Sequence, residues 1–420
     1  MEALQQSALR KTAYRLVPLL TLAYIFNYFD RTCLGFAALT MNRDIGLSTT
    51  QFGWGAGLFF ATYCVFEIPS NLALYRFGAR RWIARIMISW GLISAATALV
   101  VGPTSFYLVR LLLGIAEAGF FPGVAYFLAA WFPAQYRTRM LAWFLVGIPV
   151  SSLIGGPVSG LLLEMDGILG LAGWKWLFIM VSAPCVLLGV ATLHLLADRP
   201  QDAKWLSRPE ADALLAMLAA EARERPQSKF WAALMDPRVL ILAGVQFGFT
   251  LGSYGIGIFL PLIIKGYHLS NLAIGFVSAI PYVFATAGMI LWAWEADRSG
   301  RKIANLVIAC LLGVVGLGGA VFAGSLVLSL VGLTLALIGI TAARAIFWAI
   351  PARFLTGAAA AGGLAFINSI GTLGGFAGPA MMGWLKDATG SFEAGILVMA
   401  GVMLAATLLS ASLRLVMTQA

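Results

Sequence analysis

The chain has 420 residues, of which 60% are hydrophobic and only 11% are charged, and its formal net charge is +10. A typical soluble domain has about 25% charged residues, so this composition excludes a soluble globular enzyme. The high hydrophobicity also excludes a disordered chain. The four cysteines lie in apolar runs without metal-type spacing, which indicates small core residues.

Long apolar runs dominate the sequence from end to end. A helix needs about 20 apolar residues to cross a bilayer core of roughly 30 Å, and twelve runs reach that length. They are too long and too continuous for barrel strands of ~10 residues. The sequence therefore predicts an all-α polytopic membrane protein with twelve transmembrane helices. The runs cover residues 16–40, 52–75, 82–102, 105–131, 140–163, 174–196, 239–264, 272–294, 303–323, 326–350, 359–385 and 393–416.

The positions of the basic residues predict the orientation, because cytoplasmic loops are enriched in Lys and Arg. With a cytoplasmic amino terminus, 21 of the 28 basic residues fall on cytoplasmic segments and three fall inside helices. The four external ones are Arg43, Lys175, Lys265 and Lys386. We therefore expect a multi-pass protein of the inner (cytoplasmic) membrane with both termini in the cytoplasm. The positive charge then reflects topology and contact with anionic lipid, and no nucleic-acid partner is expected.

One long polar segment, residues 197–238, separates six predicted helices from six. Within it, Ser207 and Glu210 have the spacing of a capping box, and Arg223 and Arg225 follow near the end of the predicted amphipathic helix. We expect an amino-terminal bundle over 1–196, a cytoplasmic linker over 197–238 and a carboxyl-terminal bundle over 239–420. The linker either only allows the bundles to move or has a regulatory role.

The two halves repeat each other. Gly78 and Gly300 are 222 residues apart, and so are Pro157 and Pro379. A duplication of six helices is typical of transporters whose substrate site lies between the halves near the bilayer midplane.

Several motifs resemble those of the major facilitator superfamily. The basic loop at 296–302 resembles its signature loop, and the first copy at 76–81 has Tyr75 at the position of Asp297. Residues 27–31, 67–71 and 110–123 narrow the resemblance to the anion:cation symporter family, which includes carriers of tartrate, phthalate, hexuronates and 4-hydroxyphenylacetate. The predicted signature-loop residues are Arg76, Gly78, Arg80, Arg81, Asp297, Arg298, Gly300, Arg301 and Lys302.

Four ionisable residues at membrane depth belong to predicted helices 1 and 4: Asp30, Arg31, Arg110 and Glu117. Each costs at least ~2.5–3.5 kcal/mol to insert, so each needs a partner or a function. Arg110 and Glu117 share one helix face, whereas Arg31 points about 100° away from Asp30.

We predict that Arg31 and Arg110 bind a substrate carboxylate, since Arg has a planar fork suited to it. Asp30 and Glu117 are predicted to take up protons. Burial favours a neutral carboxyl group and a nearby guanidinium favours the charged one, so such a site can switch. Protonation of Glu117 would free Arg110 for the anion. The resemblance implies roles for the same four residues. The alternative is that they form ion pairs that only hold helices 1 and 4 together.

Other polar residues at similar depth are predicted to complete the site. Glu67 and Arg344 are expected at structural or gating contacts toward the cytoplasmic side, with proton coupling by Glu67 and substrate contact by Arg344 as the alternatives. Further substrate contacts are expected from side chains that either line a cavity or only pack. They are Asn27, Tyr28, Tyr63, Tyr254, Trp348 and Asn368.

Together these features predict a secondary active transporter that carries an organic anion, a carboxylate, by proton-coupled symport and alternating access. An anion exchanger and a proton-coupled carrier of a neutral sugar or other small solute remain open alternatives. A membrane-embedded enzyme is disfavoured because the sequence has no H-E-x-x-H, G-x-S-x-G or Walker A motif. We expect a monomer with no cofactor or metal, and with the proton as coupling ion.

Overall fold

The computed structural model describes residues 2–222, 235–351, 354–355 and 357–417. Within these ranges the regular structure is helical. In chain order the helices are α1 (Glu2–Asp44), α2 (Thr49–Phe77), α3 (Ala79–Ala96), α4 (Pro103–Glu117), α5 (Phe120–Trp131), α6 (Ala134–Leu145), α7 (Gly147–Leu163), α8 (Gly173–Leu195), α9 (Arg208–Ala222), α10 (Pro237–Lys265), α11 (Asn271–Ser299), α12 (Lys302–Val321), α13 (Leu326–Phe347), α14 (Gly357–Thr389) and α15 (Glu393–Met417).

Ten spans of the described residues are long and apolar enough to cross a membrane. Two of these spans combine adjacent helices, α4 with α5 and α6 with α7. The long helices α1 and α14 supply the first and eleventh predicted spans, and polar residues such as Asp30 and Arg31 lower the hydropathy of α1. The prediction of twelve transmembrane helices is confirmed.

The helices form two halves, α1–α8 and α10–α15, which meet mainly along three helix pairs. These pairs are α1 with α10, α2 with α14, and α7 with α11. Glycines allow close approach at these contacts. Gly156 in α7 and Gly275 in α11 lie so close together that a Cβ on either would clash with the backbone carbonyl oxygen of the other. The predicted repeat has a structural counterpart, since Gly78 ends α2 with a φ of 88° and Gly300 ends α11 with a φ of 66°.

The two signature loops are stabilised by different acids. In the second loop, Lys302 Nζ lies 3.3 Å from Asp297. In the first loop, the backbone N–H of Arg80 donates to Asp198, which follows α8, at 2.8 Å. Arg80 Nε also donates to the carbonyl of Leu193 at 2.6 Å. The first loop has no acid of its own in the sequence, and Asp198 from a distant segment of the chain accepts its hydrogen bond instead.

The remaining basic residues of these loops lie at the surface. Arg76 lies over the ring of Phe77, and Arg298 lies over that of Trp294. Arg81 and Arg301 are exposed.

Helix α1 begins at Glu2, fourteen residues before the predicted span that starts at 16. This extension is rich in good helix formers, and it contacts α9 of the predicted linker. Lys11 Nζ donates to Glu210 at 2.7 Å, and the Ser207 backbone N–H donates to the same carboxylate at 2.9 Å. Hydrogen bonds from Lys11, Ser207 and Ser7 lower the pKa of Glu210 to about 2. Arg223 and Arg225, predicted for the end of this helix, lie outside the described residues.

Polar contacts between the halves are concentrated at one end of the molecule, here called the α1–α2 end because the α1–α2 connection lies there. Lys265 Nζ donates to the carbonyl of Leu39, and Asp387 accepts from the Thr50 N–H at 2.7 Å. Asp387 of α14 thus caps the first turn of α2 in the other half. In the described part of the chain, no side-chain hydrogen bond joins the halves beyond Glu67 toward the opposite end, called the terminal end.

The fourth span is broken between α4 and α5, directly after Glu117. Pro122 has no N–H, and its ring would clash with the carbonyl of residue 118 in a continuous helix. Gly119 adopts a left-handed conformation with a φ of 85°, and a Cβ there would lie 2.7 Å from Ser70 Cβ. The break therefore requires glycine at this position.

Gly119→Ala should destabilise the protein by about 1–2 kcal/mol because alanine is strained in the left-handed region. Thermal unfolding in detergent measures this effect. The control is Gly318→Ala in α12, where nothing lies within 4 Å of the added Cβ, and it should not lower the melting temperature. Equal melting temperatures for the two variants would contradict the role assigned to Gly119.

Asp387→Asn should loosen the contact between the halves at the α1–α2 end. Burial raises the pKa of Asp387, but hydrogen bonds from Thr50, Thr49 and Ser48 together outweigh it and hold this pKa below its ordinary value of 3.8. A lowered pKa means that the contact is complete above that value and is lost only as the pH falls through it, so it should not change between about pH 5 and 8.

Spin labels at Arg43 and Glu393 in a cysteine-free background would measure the separation of the halves at this end. Asp387→Asn should lengthen the distance distribution at pH 7. Asp166→Asn is the matched control, because Asp166 caps α8 within one half by accepting from Gly173 N–H. An unchanged distribution in Asp387→Asn, or opening of the wild type at pH 5, would disprove this assignment.

Candidate functional site

A buried ion pair joins α1 to α4. Arg31 Nε donates to Glu117 Oε1 at 2.6 Å, and Arg31 Nη2 contacts the same oxygen. The Glu117 side chain is fully buried and that of Arg31 is 15% exposed. Glu117 Oε2 has no hydrogen-bond partner among the described residues. The carboxylate therefore has one occupied oxygen and one available oxygen.

Aromatic rings and the second half surround this pair. The Arg31 guanidinium lies 5.2 Å from the Phe59 ring centroid and 5.1 Å from that of Tyr63 on α2. Arg31 Nη1 donates to the Tyr254 hydroxyl of α10 at 3.2 Å. The cluster thus combines α1, α2 and α4 of the first half with α10 of the second, and brings together Arg31, Tyr63, Glu117 and Tyr254.

Arg110 lies on the other side of the same aromatic ring. Its guanidinium is 5.0 Å from the Phe59 centroid, and its Nε is 3.4 Å from the Gly55 carbonyl. Arg110 is 3% exposed, and no carboxylate of the described residues lies within 4 Å of it. The predicted pairing of Glu117 with Arg110 is therefore wrong. Their backbones are about 10 Å apart along the helix axis, and Arg31 reaches Glu117 from the neighbouring helix instead.

Asp30 faces away from Arg31, as the helical rotation predicts. It accepts hydrogen bonds from Trp90 Nε1 at 3.0 Å and from Ser94 Oγ, both on α3. Asp30 is 1% exposed. Asp30 and Glu117 are the carboxylates whose charges act on Arg110. Asp30 therefore lies inside the first half, behind the residues that face the second.

Glu67 contacts the second half one turn from Tyr63. Asn368 Nδ2 of α14 donates to Glu67 Oε1 at 3.3 Å. Next to this bond, Cys64 Sγ lies 3.6 Å from the carbonyl of Ser369. The predicted gating acid and the predicted substrate-binding amide therefore contact each other.

The other predicted site residues are more dispersed. Tyr28 is buried and packs edge-on against Tyr24, with ring centroids 6.5 Å apart. Asn27 is fully buried, and both atoms of its amide are without a hydrogen-bond partner among the described residues. Trp348 is 37% exposed and makes its ring contact with Phe347. The structure thus does not bring Trp348 into the charged cluster.

Three polar residues near the site were not predicted from the sequence. Trp90 and Ser94 hold Asp30, and they are four residues apart on one face of α3. Gln246 is a lone amide within an apolar run, and its Oε1 is buried without a partner among the described residues. Its isolation at membrane depth is the signal that could have identified it.

The Arg31–Glu117 pair should show strong energetic coupling. In a double-mutant cycle with Arg31→Gln and Glu117→Gln, we expect a coupling of about 1–3 kcal/mol because the two side chains are in direct contact. Melting temperatures in detergent measure the cycle. The control cycle pairs Glu117→Gln with Arg110→Gln and should give a clearly smaller coupling. A larger coupling to Arg110 would contradict the contacts described above.

Comparison with known protein families and relatives identifies the family of the chain. The model of the Major Facilitator Superfamily matches residues 20–352 and 242–418. A relative from Agrobacterium vitis, named "Putative tartrate transporter", is 49% identical over 97% of this chain and 94% of its own length. A "Quinolone resistance transporter" from Acinetobacter baumannii is 42% identical over 95% of this chain and 93% of its own. The inner membrane transport protein RhmT of Escherichia coli is 36% identical over 98% and 96%.

Solved structures share the fold. A bacterial homologue of the human lysosomal transporter Spinster, in an inward-facing and occupied conformation, has a TM-score of 0.76 at 17% identity and covers 94% of this chain and 95% of its own. The inward-open xylose transporter XylE from E. coli also has a TM-score of 0.76, at 14% identity and 95% coverage of both chains. The chain therefore belongs to the Major Facilitator Superfamily and is a multi-pass secondary transporter of the membrane rather than an enzyme.

Proposed function

We propose that this protein carries an organic anion, a carboxylate, across the inner membrane by proton-coupled symport and alternating access. The observation that carries the proposal is the Arg31–Glu117 pair, which is buried at mid-depth and hydrogen-bonded to Tyr254 of the other half. The relatives support the substrate class, since one with 49% identity is named for tartrate, and RhmT is named for the inner membrane.

Proton coupling would result from competition for Arg31. In the empty site Glu117 neutralises Arg31. Protonation of Glu117 removes its negative charge and frees the guanidinium fork for a substrate carboxylate. A carboxylate that bonds Arg31 in turn favours the protonated form of Glu117, because two acids would otherwise compete for one cation. Proton and anion would then bind together. This assignment transfers to Arg31 the role predicted for Arg110.

Arg110 and Asp30 would determine the electrostatic field in which Glu117 and the substrate carboxylate compete for Arg31. Asp30 is held inside the first half by Trp90 and Ser94, and we assign it an electrostatic role toward Arg110 and the uptake of a second proton. Arg110 shares the Phe59 ring with Arg31. A substrate carboxylate that displaces Glu117 from Arg31 would therefore also lie within the field of Arg110.

Alternating access would use the contacts that join the halves. The distribution of basic residues assigns the α1–α2 end to the external side and both termini to the cytoplasm. With this orientation, the contacts of Lys265 and Asp387 close the external side. The Glu67–Asn368 bond lies between the substrate site and the cytoplasm, where it can act as a gate. The bundles over 1–196 and 239–420, joined by the segment over 197–238, would be the two rocking units.

A second candidate function is export or exchange of an organic anion. It is favoured by the Acinetobacter baumannii relative, whose name refers to quinolone resistance. The same charge competition operates in either direction, so the direction of the proton gradient and the response to it separate the candidates.

Uptake by purified protein in proteoliposomes tests the proposal. The panel is labelled tartrate, phthalate, 4-hydroxyphenylacetate, galactonate, a hexuronate and glutamate, each with and without an inward proton gradient. We expect accumulation of at least one carboxylate under the gradient. Arg31→Ala should weaken its binding at least about tenfold, because a charge-assisted hydrogen bond is lost.

Glu117→Gln separates coupling from binding. It should retain counterflow exchange of the same carboxylate but lose gradient-driven accumulation, because glutamine cannot take up the proton. Glu164→Gln is the matched control, since Glu164 is exposed at the end of α7. Movement of no carboxylate, or full accumulation by Glu117→Gln, would disprove proton-coupled anion symport. Accumulation driven only by an opposing carboxylate would support exchange.

A further inference from the structure

Arg344 is a cation of the second half without a counter-ion among the described residues. It lies in the last turn of α13, and its guanidinium is 5.7 Å from the Phe249 ring centroid on α10. Its Nε is buried and has no hydrogen-bond partner among the described residues. Nor does any carboxylate of the described ranges lie within ion-pair distance of it. A guanidinium at this depth is unfavourable unless a partner, permanent or transient, is supplied.

Arg344 and Arg31 both contact α10, Arg344 at the Phe249 ring and Arg31 at the Tyr254 hydroxyl. Phe249 precedes Tyr254 by five residues on α10, which is about 7.5 Å along the helix axis, and Tyr254 accepts a hydrogen bond from Arg31. The charge of Arg344 also acts on Tyr24 and Tyr28 of α1, across the interface between the halves. Along the axis of α10, Arg344 therefore lies on the terminal side of Arg31, and it belongs to the opposite half.

The intramembrane charges are balanced in number but not in position. Glu117 pairs with Arg31, and Asp30 acts on Arg110 within the first half. Glu67, the third acid, is hydrogen-bonded to Asn368. Arg110 and Arg344 both lack an ion pair among the described residues, and Arg344 is the one that belongs to the second half. An anion that enters from the terminal end would meet it before reaching Arg31.

We propose that Arg344 is the second anion-binding residue of the transport site, and that the transported substrate is a short dicarboxylate whose two carboxylates bridge Arg31 and Arg344. This inference rests on the proposed function. A dianion with a carboxylate at each end can accept hydrogen bonds of about 2.9 Å from two guanidinium groups, one at each end. A monocarboxylate reaches only one of them. Arg344 is then the residue that selects dianions.

The bridge also gives a physical reason for closure. Arg31 belongs to the first half and Arg344 to the second, and the described polar contacts between the halves stop at Glu67. A dianion bound to both guanidinium groups would attract the halves toward each other at the terminal end. Substrate binding and closure are then coupled through the substrate's two charges.

Ligand binding to the purified full-length protein in detergent tests this assignment. The probes are L-tartrate and tartrate monoamide, which has the same carbon skeleton with one carboxylate replaced by a neutral amide. The wild type should bind tartrate at least about tenfold more tightly than the monoamide. Arg344→Gln should weaken tartrate binding to the level of the monoamide and leave monoamide binding within about twofold.

Two further variants complete the design. Arg344→Lys retains the charge and should preserve part of the preference for tartrate, even if Arg344→Gln lowers the melting temperature. Arg43→Gln removes a cation that is 86% exposed at the α1–α2 end, and it should leave binding of both probes unchanged.

The outcomes distinguish this inference from the proposed function. Equal binding of the two probes by the wild type, or an equal loss of both in Arg344→Gln, would overturn the role of Arg344 while carboxylate binding itself stands. Binding of neither probe, together with no uptake of any carboxylate in the transport panel, would overturn both. Loss of tartrate preference in Arg344→Gln alone would support the bridge.

Discussion

A guanidinium and a carboxylate that share a water-poor interior have to stay together, and this requirement organises the first half of the molecule. The Arg31–Glu117 pair fixes the approach of α1 to α4, and the break at Gly119 ends α4 directly after the carboxylate. Phe59 and Tyr63 form the wall against which the guanidinium lies. Because neither partner can be left charged and alone, a proton or an anion at one of them has consequences for the other.

The contacts across the two halves are of a different kind. Arg31 donates to a neutral phenol of the second half, and Glu67 accepts from a neutral amide. The strong ion pair stays within one half, whereas the bonds that must break during rocking connect a charge to an uncharged group. Such bonds are weaker than ion pairs, so the halves can separate without breaking the buried Arg31–Glu117 pair. A transporter needs this division, because rigid halves and a releasable interface require different interactions.

Helical periodicity predicted more of the fold than of the site. The apolar runs were sufficient to predict the twelve spans. A rotation of about 100° per residue was sufficient to predict that Asp30 and Arg31 point in different directions. Periodicity describes faces within one helix and does not say which neighbouring helix meets a face. The partner of Glu117 was therefore missed, and so were the bonds that Trp90 and Ser94 make to Asp30.

Side-chain reach explains the remaining differences. Arg31 can extend from α1 to Glu117, but depth along a helix does not predict such a contact. Trp348 has the right depth for a substrate contact, yet it packs against Phe347 because α13 ends there. The helical extension before residue 16 is polar and gave no span signal, although its residues favour helix.

The capping of the α2–α3 loop by Asp198 has a mechanical consequence. This acid is 118 residues from Arg80 in sequence and lies where the chain leaves α8 toward the segment that leads to the second half. Between Asp198 and the second half, α9 is itself held to α1, because Glu210 accepts hydrogen bonds from Ser7 and Lys11. A pull on the chain from the second half would therefore reach α9 before Asp198, so the α2–α3 loop would keep its cap while the second half moves.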